Sequence, residues 1–280
     1  MGARAAVPVA ILSIEGTNCH RELAVALAGS GARPEVVSLK QFEGRDVTPA
    51  ERRRLSQYRA LFLPGGWSGG DYVRAGAIMA SRIRAAIGPE LESYLQGGGY
   101  LGGVCNGFQV LIELGLLPGR PGLRLGPPEA ALLQNESGHF ECRPTYMRWE
   151  GGNFAPLRGT PPGRRVYAPS AHGEGRLVLA GEGPGRIAEL EAAGQIPFRW
   201  VDPDGAIAGY PWNPNGSPAN IAGLTNPEGN VVGFMPHPER GFFRRQEPGW
   251  TRGGPTDGPG AGRWFFDALV RHLSDAPRTG

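Results

Sequence analysis

Four short apolar runs, most of them leading into a helical pattern, limit the fold of this chain more than any other feature. "VPVAILSI" (7–14) is a continuous run of the fully buried strand type, and "RELAVALAGSG" (21–31) behind it has helical spacing with a glycine stop. "PEVVSL" (34–39), "ALFLPGG" (60–66) and "GYLGGVC" (99–105) read as the next three strands. Between them, "TPAERRRLSQY" (48–58) predicts a helix with Thr48 as N-cap and Pro49 at its first position. "AIMASRIRAAIGPELESYLQ" (77–96) predicts a long helix with a break near Gly88-Pro89, and "NGFQVLIELGLL" (106–117) another. Alternation of this kind predicts an α/β fold: a doubly wound, mainly parallel sheet with helices on both faces.

The texture changes after Pro118. Residues 118–163 are expected to form a Gly/Pro-rich excursion, a loop over 118–128 followed by short β-like pieces. "TYMRW", "RLVLA", "IPFRWV" and two apolar runs around the loop Asn226–Asn230 predict an antiparallel edge extension of the sheet. "GRWFFDALVRHL" (262–273) closes the chain as a helix, with His272 among charged residues and expected in solvent. The expected organisation is one domain over 7–273, with tails at 1–6 and 274–280.

The 29 basic and 26 acidic side chains leave a net charge of +3, too mild to argue for nucleic acid or an anionic membrane as partner. The cysteines, Cys19, Cys105 and Cys142, form no CxxC and no zinc-like spacing with histidine. That argues for a reducing compartment, the cytoplasm, and against a structural metal. No run has the length of a membrane span or the form of a signal peptide.

One cysteine stands where a nucleophile would. Gly103-Val104-Cys105-Asn106-Gly107 is G-x-C-x-G, the thiol counterpart of the nucleophile elbow, at the junction of the fourth strand and its helix. The glycines keep side chains from colliding across a strained turn, and the helix N-terminus favours thiolate. The Asn106 amide then faces the place where an oxyanion would form. Taken alone, the motif equally suits a buried cysteine packed as a small hydrophobe. A base is available in "GFMPHPER": His237 lies between Pro236 and Pro238, with Glu239 two residues on. Two apart in an extended segment, they share a face, so the carboxylate can orient the imidazole; the alternative is an ordinary turn with an exposed histidine.

"PGGWSGGDYVRAGAI", "GGVCNGFQVLIELGLLPG", "AHGEGRL" and "NPNGSPANIAGLTNPEGNVVGFMPHPER", with "GTNC" near the start, cover much of the chain in order. Together they resemble class I (triad) glutamine amidotransferases, and among these the glutaminase subunits of phosphoribosylformylglycinamidine synthase. The resemblance implies a flavodoxin-like α/β fold, Cys105 as nucleophile, His237 as base and Glu239 as its partner. It adds Gly65 or Gly66 to Asn106 as oxyanion donors, and places Gln109, His172, Asp71 and Asn18 around the substrate glutamine. For His172 a polar surface loop is the alternative, and for Asn18 a cap on the following helix. No cofactor or metal is expected in this chain; ATP and magnesium belong to a synthetase subunit, its expected partner, to which a small third subunit is a candidate addition. In keeping with that, the sequence has no Walker-type phosphate loop.

Departures from the family pattern are Trp67 and Gly69 in "GWSGGD", Glu15 where proline is common, and His20 in place of an acid. They fall on the rim expected to face the partner. Cys19 and Cys142 are read as structural. Three rival readings stand beside this one: an amidotransferase for another acceptor, a catalytically silent docking subunit, and an unrelated cysteine hydrolase with the same elbow.

Overall fold

The computed structural model describes residues 6–181 and 183–276. In chain order the elements are β1 (Val7–Ser13), α1 (His20–Gly29), β2 (Ala32–Ser38), α2 (Leu39–Glu43), β3 (Ala60–Leu63), α3 (Ala77–Gln96) and β4 (Tyr100–Val104). There follow α4 (Asn106–Glu113), β5 (Ala130–Gln134), β6 (Glu141–Arg143), β7 (Tyr146–Trp149), β8 (Arg165–Tyr167), β9 (Ser170–His172) and β10 (Glu174–Leu179). The chain ends with α5 (Gly183–Ala192), β11 (Phe198–Val201), β12 (Ile221–Thr225), β13 (Val231–Phe234) and α6 (Arg263–Asp275).

Nine strands form one sheet in the order β2-β1-β3-β4-β13-β12-β11-β7-β8. From β2 to β13 all neighbours are parallel, and beyond β13 every pair is antiparallel. This is the α/β sheet with the antiparallel extension that the strand pattern implied. Val9, Ala10, Ile11 and Leu12 are all fully buried, so β1 is covered on both faces, as a continuous apolar run requires. One cover is α1 packed with α6; α4, backed by α3, lies on β3, β4 and β13. Across the antiparallel half, Phe265 of α6 meets Phe234 edge-on at 5.1 Å and stacks on Phe154 at 6.1 Å. Two small antiparallel sheets, β5 with β10 and β6 with β9, stand beside the main one.

Several local expectations give way to tertiary contacts. No helix forms over 48–58: the chain makes one turn at Thr48–Glu51 and a short 3₁₀ turn at Leu55–Gln57. The Arg53 amide bonds to Gln41 O and its guanidinium to Glu35, so the hydrogen bonds leave the segment instead of closing a helix. Helix α3 runs unbroken through Pro89. Gly88 has no Cβ to meet the proline ring, which relieves part of the clash that usually ends a helix there. "RLVLA" joins β5 in a small sheet and not the main one. His272 is half-buried, with Nε2 2.6 Å from the Tyr100 hydroxyl; burial and the Arg59 and Arg158 charges lower its pKa. The tail expected from 274 is helical through Asp275, while 1–5 and 277–280 lie outside the described residues. Helices α2 and α5 have no counterpart in the sequence reading.

Candidate active site

The turn from β4 into α4 is strained at its middle residue. Cys105 holds φ +52° and ψ −109°, a conformation costing about 1–3 kcal/mol in a non-glycine residue. Its neighbours have no room for side chains. A Cβ on Gly107 would stand 1.9 Å from Leu63 O, and one on Gly103 2.7 Å from Gly107 C. The Cys105 amide donates to Phe234 O at 2.9 Å, and its thiol points at Ala171 O 3.6 Å away. Asn106 is the first residue of α4, where an amide has no intrahelical acceptor.

The candidate base, His237, stands beyond the end of β13, the strand beside β4. His237 Nδ1 is 2.5 Å from Glu239 Oε1, and both side chains are almost wholly buried. The contact arises in a 3₁₀ turn, Pro238–Gly241, and not in the extended segment that the spacing suggested. Burial alone would lower the His237 pKa, but the Glu239 carboxylate and the Cys105 thiol outweigh it and push it up to about 10. With Nδ1–H given to Glu239, Nε2 is the free nitrogen, and it has no hydrogen-bond partner among the described residues. The turn is clamped from outside. The His237 amide donates to Pro169 O at 2.9 Å, Gly260 N to Phe242 O at 2.8 Å and Gly262 N to Gly241 O at 2.9 Å. A Cβ on Gly262 would come 2.0 Å from Pro238 O.

The loop after β3 closes the third side. A Cβ on Gly65 would meet His237 Cε1 at 2.7 Å and Cys105 Cβ at 3.4 Å, so this backbone touches both members of the pair. Gly66, at φ +141°, has no room for a side chain either, being pressed on Asn18 N and Gly16 O. Gly65 thus borders the Cys105–His237 pair directly, Gly66 lines the same cavity as Cys105, and Asn106 follows Cys105 in the chain.

A cavity of about 280 Å³ opens onto Cys105, close to the lower end for small-molecule sites (~300–1,000 Å³). All the substrate-contact candidates except Gly65 and Asn106, whose backbone borders the thiol, line it: Asn18, Gly66, Asp71, Gln109 and His172. Gln109 is held at both ends, Oε1 by Asn106 Nδ2 at 2.9 Å and Nε2 on Glu174 O at 2.6 Å. His172 is buried in β9, not in a surface loop. Asn135 Oδ1 already accepts the Gly175 amide and its Nδ2 donates to two carbonyls, so the 3.1 Å contact with His172 Nδ1 must be Nδ1–H donating. Burial, then the His237 charge, lowers the His172 pKa to about 3, leaving a neutral ring with a bare Nε2. Asn18 does not cap α1; the cap position is Cys19, and Asn18 Oδ1 accepts the Cys19 thiol at 3.3 Å.

Sequence reasoning missed three cavity residues with a thiol or charged side chain: Cys19, Glu174 and Arg240. Arg240 Nη2 donates to Cys19 Sγ at 2.9 Å, and burial pushes that thiol up to about 12. Their only signal was position inside "GTNC", "AHGEG" and "HPER". Cys142 lies exposed on β6. Trp67 and Phe140, which both line the cavity, stack on each other; Gly69 takes φ +71° in the turn that follows, and Glu15 pairs with Arg82 along a separate surface pocket.

Comparison with known proteins agrees with this geometry. Residues 6–272 match the family model of the CobB/CobQ-like glutamine amidotransferase domain. The chain is 41% identical to phosphoribosylformylglycinamidine synthase subunit PurQ of Archaeoglobus fulgidus over 96% of its length and 98% of that protein. With the subunit of the same name from Thermus thermophilus it shares 39% identity, over 95% and 98%. Among solved structures it superposes on a chain of PurLQS from Thermotoga maritima with a TM-score of 0.67 and 30% identity, covering 95% of this chain and 99% of that one. A glutamine amidotransferase of Thermotoga maritima shares the fold, at a TM-score of 0.54 and 13% identity. With its elbow, its buried His–Glu pair and these relatives, the chain belongs to the glutamine amidotransferases, in the branch of the PurQ subunits of phosphoribosylformylglycinamidine synthase.

Proposed function

We propose that this chain is the glutaminase subunit of phosphoribosylformylglycinamidine synthase in purine biosynthesis. It hydrolyses L-glutamine to glutamate and delivers the ammonia to a synthetase subunit. That partner uses ATP and magnesium to convert formylglycinamide ribonucleotide to its amidine, and a small third subunit completes the assembly. The observation that carries the reading is the buried His237–Glu239 pair facing a strained Cys105 in one cavity. The relatives named as synthase subunits support the partner and the acceptor. The working unit in this reading is a single domain spanning 7–273, acting in the cytoplasm, where its three unpaired cysteines stay reduced.

The Cys105 thiolate attacks the carboxamide carbon of glutamine, and the oxyanion is held by the amides of Asn106 and Gly65 or Gly66. Imidazolium His237 gives its proton to the departing nitrogen, which leaves as ammonia, and Cys105 keeps the acyl group as a thioester. Water, deprotonated by His237, attacks the thioester and releases glutamate and the thiol. Glu239 keeps the Nδ1 proton in place throughout. Asn18, Asp71, Gln109 and His172 form the wall against which glutamine lies, and no step uses a metal.

The test is glutamate release by the chain and by Cys105→Ala, each alone and mixed with the synthetase subunit. Release that needs Cys105 and rises with the synthetase and its substrates supports the reading. Release that ignores the synthetase points to another acceptor. No release in any mixture leaves a docking subunit without chemistry.

A further inference from the structure

This inference rests on the glutaminase reading above and concerns what keeps two separate segments in register around one reacting oxygen. In that reading one oxyanion donor, the Asn106 amide, opens α4, and the other, Gly65 or Gly66, belongs to the loop after β3. Strands β3 and β4 are paired only as far as Leu63 and Gly103, so both donors lie beyond the last rung. Groups that stabilise a developing charge must be held within about 0.5 Å of their working positions.

Backbone hydrogen bonds hold this loop, residues 64–70, from one side. Cys19 N donates to Gly65 O at 3.2 Å, Trp67 N to Gly16 O at 2.9 Å and Gly69 N to Glu15 O at 3.0 Å, all involving the segment that joins β1 to α1. On the side of the elbow, among the described residues, one side chain makes the hydrogen bonds between loop and α4. Asn106 Oδ1 accepts the Ser68 amide at 3.1 Å and also the Ser68 hydroxyl. Its Nδ2 donates to Gln109 Oε1 at 2.9 Å, which fixes the amide plane from the helix side. Ser68 and Asn106 are both 1% exposed, so water does not compete for these bonds. Without the Asn106 carboxamide the Ser68 amide would be buried and unpaired, and the loop would have to move to satisfy it.

We propose that Asn106, through its side chain, is a positioning residue: by tying Ser68 to the first turn of α4 it holds the Gly65 and Gly66 amides in register with the elbow. The chain docked on its synthetase subunit is assayed for kcat with L-glutamine and for the rate at which iodoacetamide alkylates Cys105. Alkylation forms a sulfur–carbon bond and expels iodide without building an oxyanion, so it reports the thiol alone. Asn106→Ala is expected to lower kcat about 10- to 100-fold and Ser68→Ala about 3- to 10-fold, with alkylation within about threefold of the parent in both. The double variant is expected to match Asn106→Ala, because both substitutions cut the same tether. Ser68→Ala carries the test where Asn106→Ala fails to dock. Alkylation falling in step with kcat, the mark of a merely structural role, overturns the inference alone. So does an unchanged kcat, or a double variant in which the two losses multiply. Glutamate release by the parent that persists in Cys105→Ala overturns the glutaminase reading and this inference with it.

Discussion

Cys105 and His237 leave adjacent strands of one sheet, but they are kept in place by contacts of very different range. What fixes the thiol is close in sequence or one strand away: Gly103 and Gly107 on either side, with Leu63 O against the second. What fixes the base comes from far along the chain. Pro169 O takes its amide, and the stretch around Gly260 and Gly262 folds back onto the turn that bears Glu239. A nucleophile set by local sterics is written in its own motif. A base set by distant clamps can be displaced by changes well outside "HPER".

The largest expected effect tests the local half. Cys105→Gly and Cys105→Ala should both lower glutamate release by about 10⁴-fold or more. The glycine variant, free of the positive-φ penalty, should exceed the alanine variant in urea stability by about 1 kcal/mol. Equal stability would mean the elbow stores no strain. Next, Glu239→Gln should cost about 10²- to 10⁴-fold in kcat while Cys105 remains open to alkylation, because it removes the group that fixes the Nδ1 proton of His237.

The comparison itself is broken or kept by a pair of glycine variants. Gly262→Ala places a Cβ 2.0 Å from Pro238 O and should reduce kcat about 10- to 100-fold with little loss of melting temperature. Gly107→Ala, 1.9 Å from Leu63 O, strikes the parallel core and should cost about 1–3 kcal/mol of stability. Similar losses of both kinds in both variants would erase the distinction.

A smaller effect concerns pH. The folded-state pKa of His172 is depressed to about 3 from 6.5, so its contribution is present above pH 6.5 and is lost as pH falls toward 3. His172→Asn should therefore lose about 1–2 kcal/mol less than the parent between pH 6.5 and 5, read by urea melts at each pH. Smallest of all, Asp257→Asn removes an exposed ion pair with Arg245 in the folded-back stretch. It should change stability by less than about 0.5 kcal/mol and leave turnover alone, since backbone contacts hold that stretch.

Much of the parallel half was legible because its signals are local. The apolar run at β1 and the glycines around Cys105 mean the same thing in almost any α/β setting. The helix expected at 48–58 failed because its hydrogen-bonding groups found Gln41 and Glu35, partners that no local pattern reveals. Strands β5 and β6 were hidden for a related reason, being short and paired with β10 and β9 27–49 residues away. In the site, spacing offered Cys105, His237 and Glu239 as candidates, and the family resemblance was needed to choose between the readings. Glu174 and Arg240 could not, since an acid or an arginine acquires its role only when three separate loops converge on one cavity.

The parallel register between β4 and β13 pairs Val104 with Phe234, and the Cys105 amide bonds to Phe234 O. Thiol and imidazole thus spring from one rung of the ladder, one and three residues beyond it. Neighbouring strands are held ~4.8 Å apart by every hydrogen bond along them, and separating the pair would mean shearing that rung. The two strand ends move as a single stiff fork, so the distant clamps have only the three residues beyond that rung, Met235 to His237, left to fix.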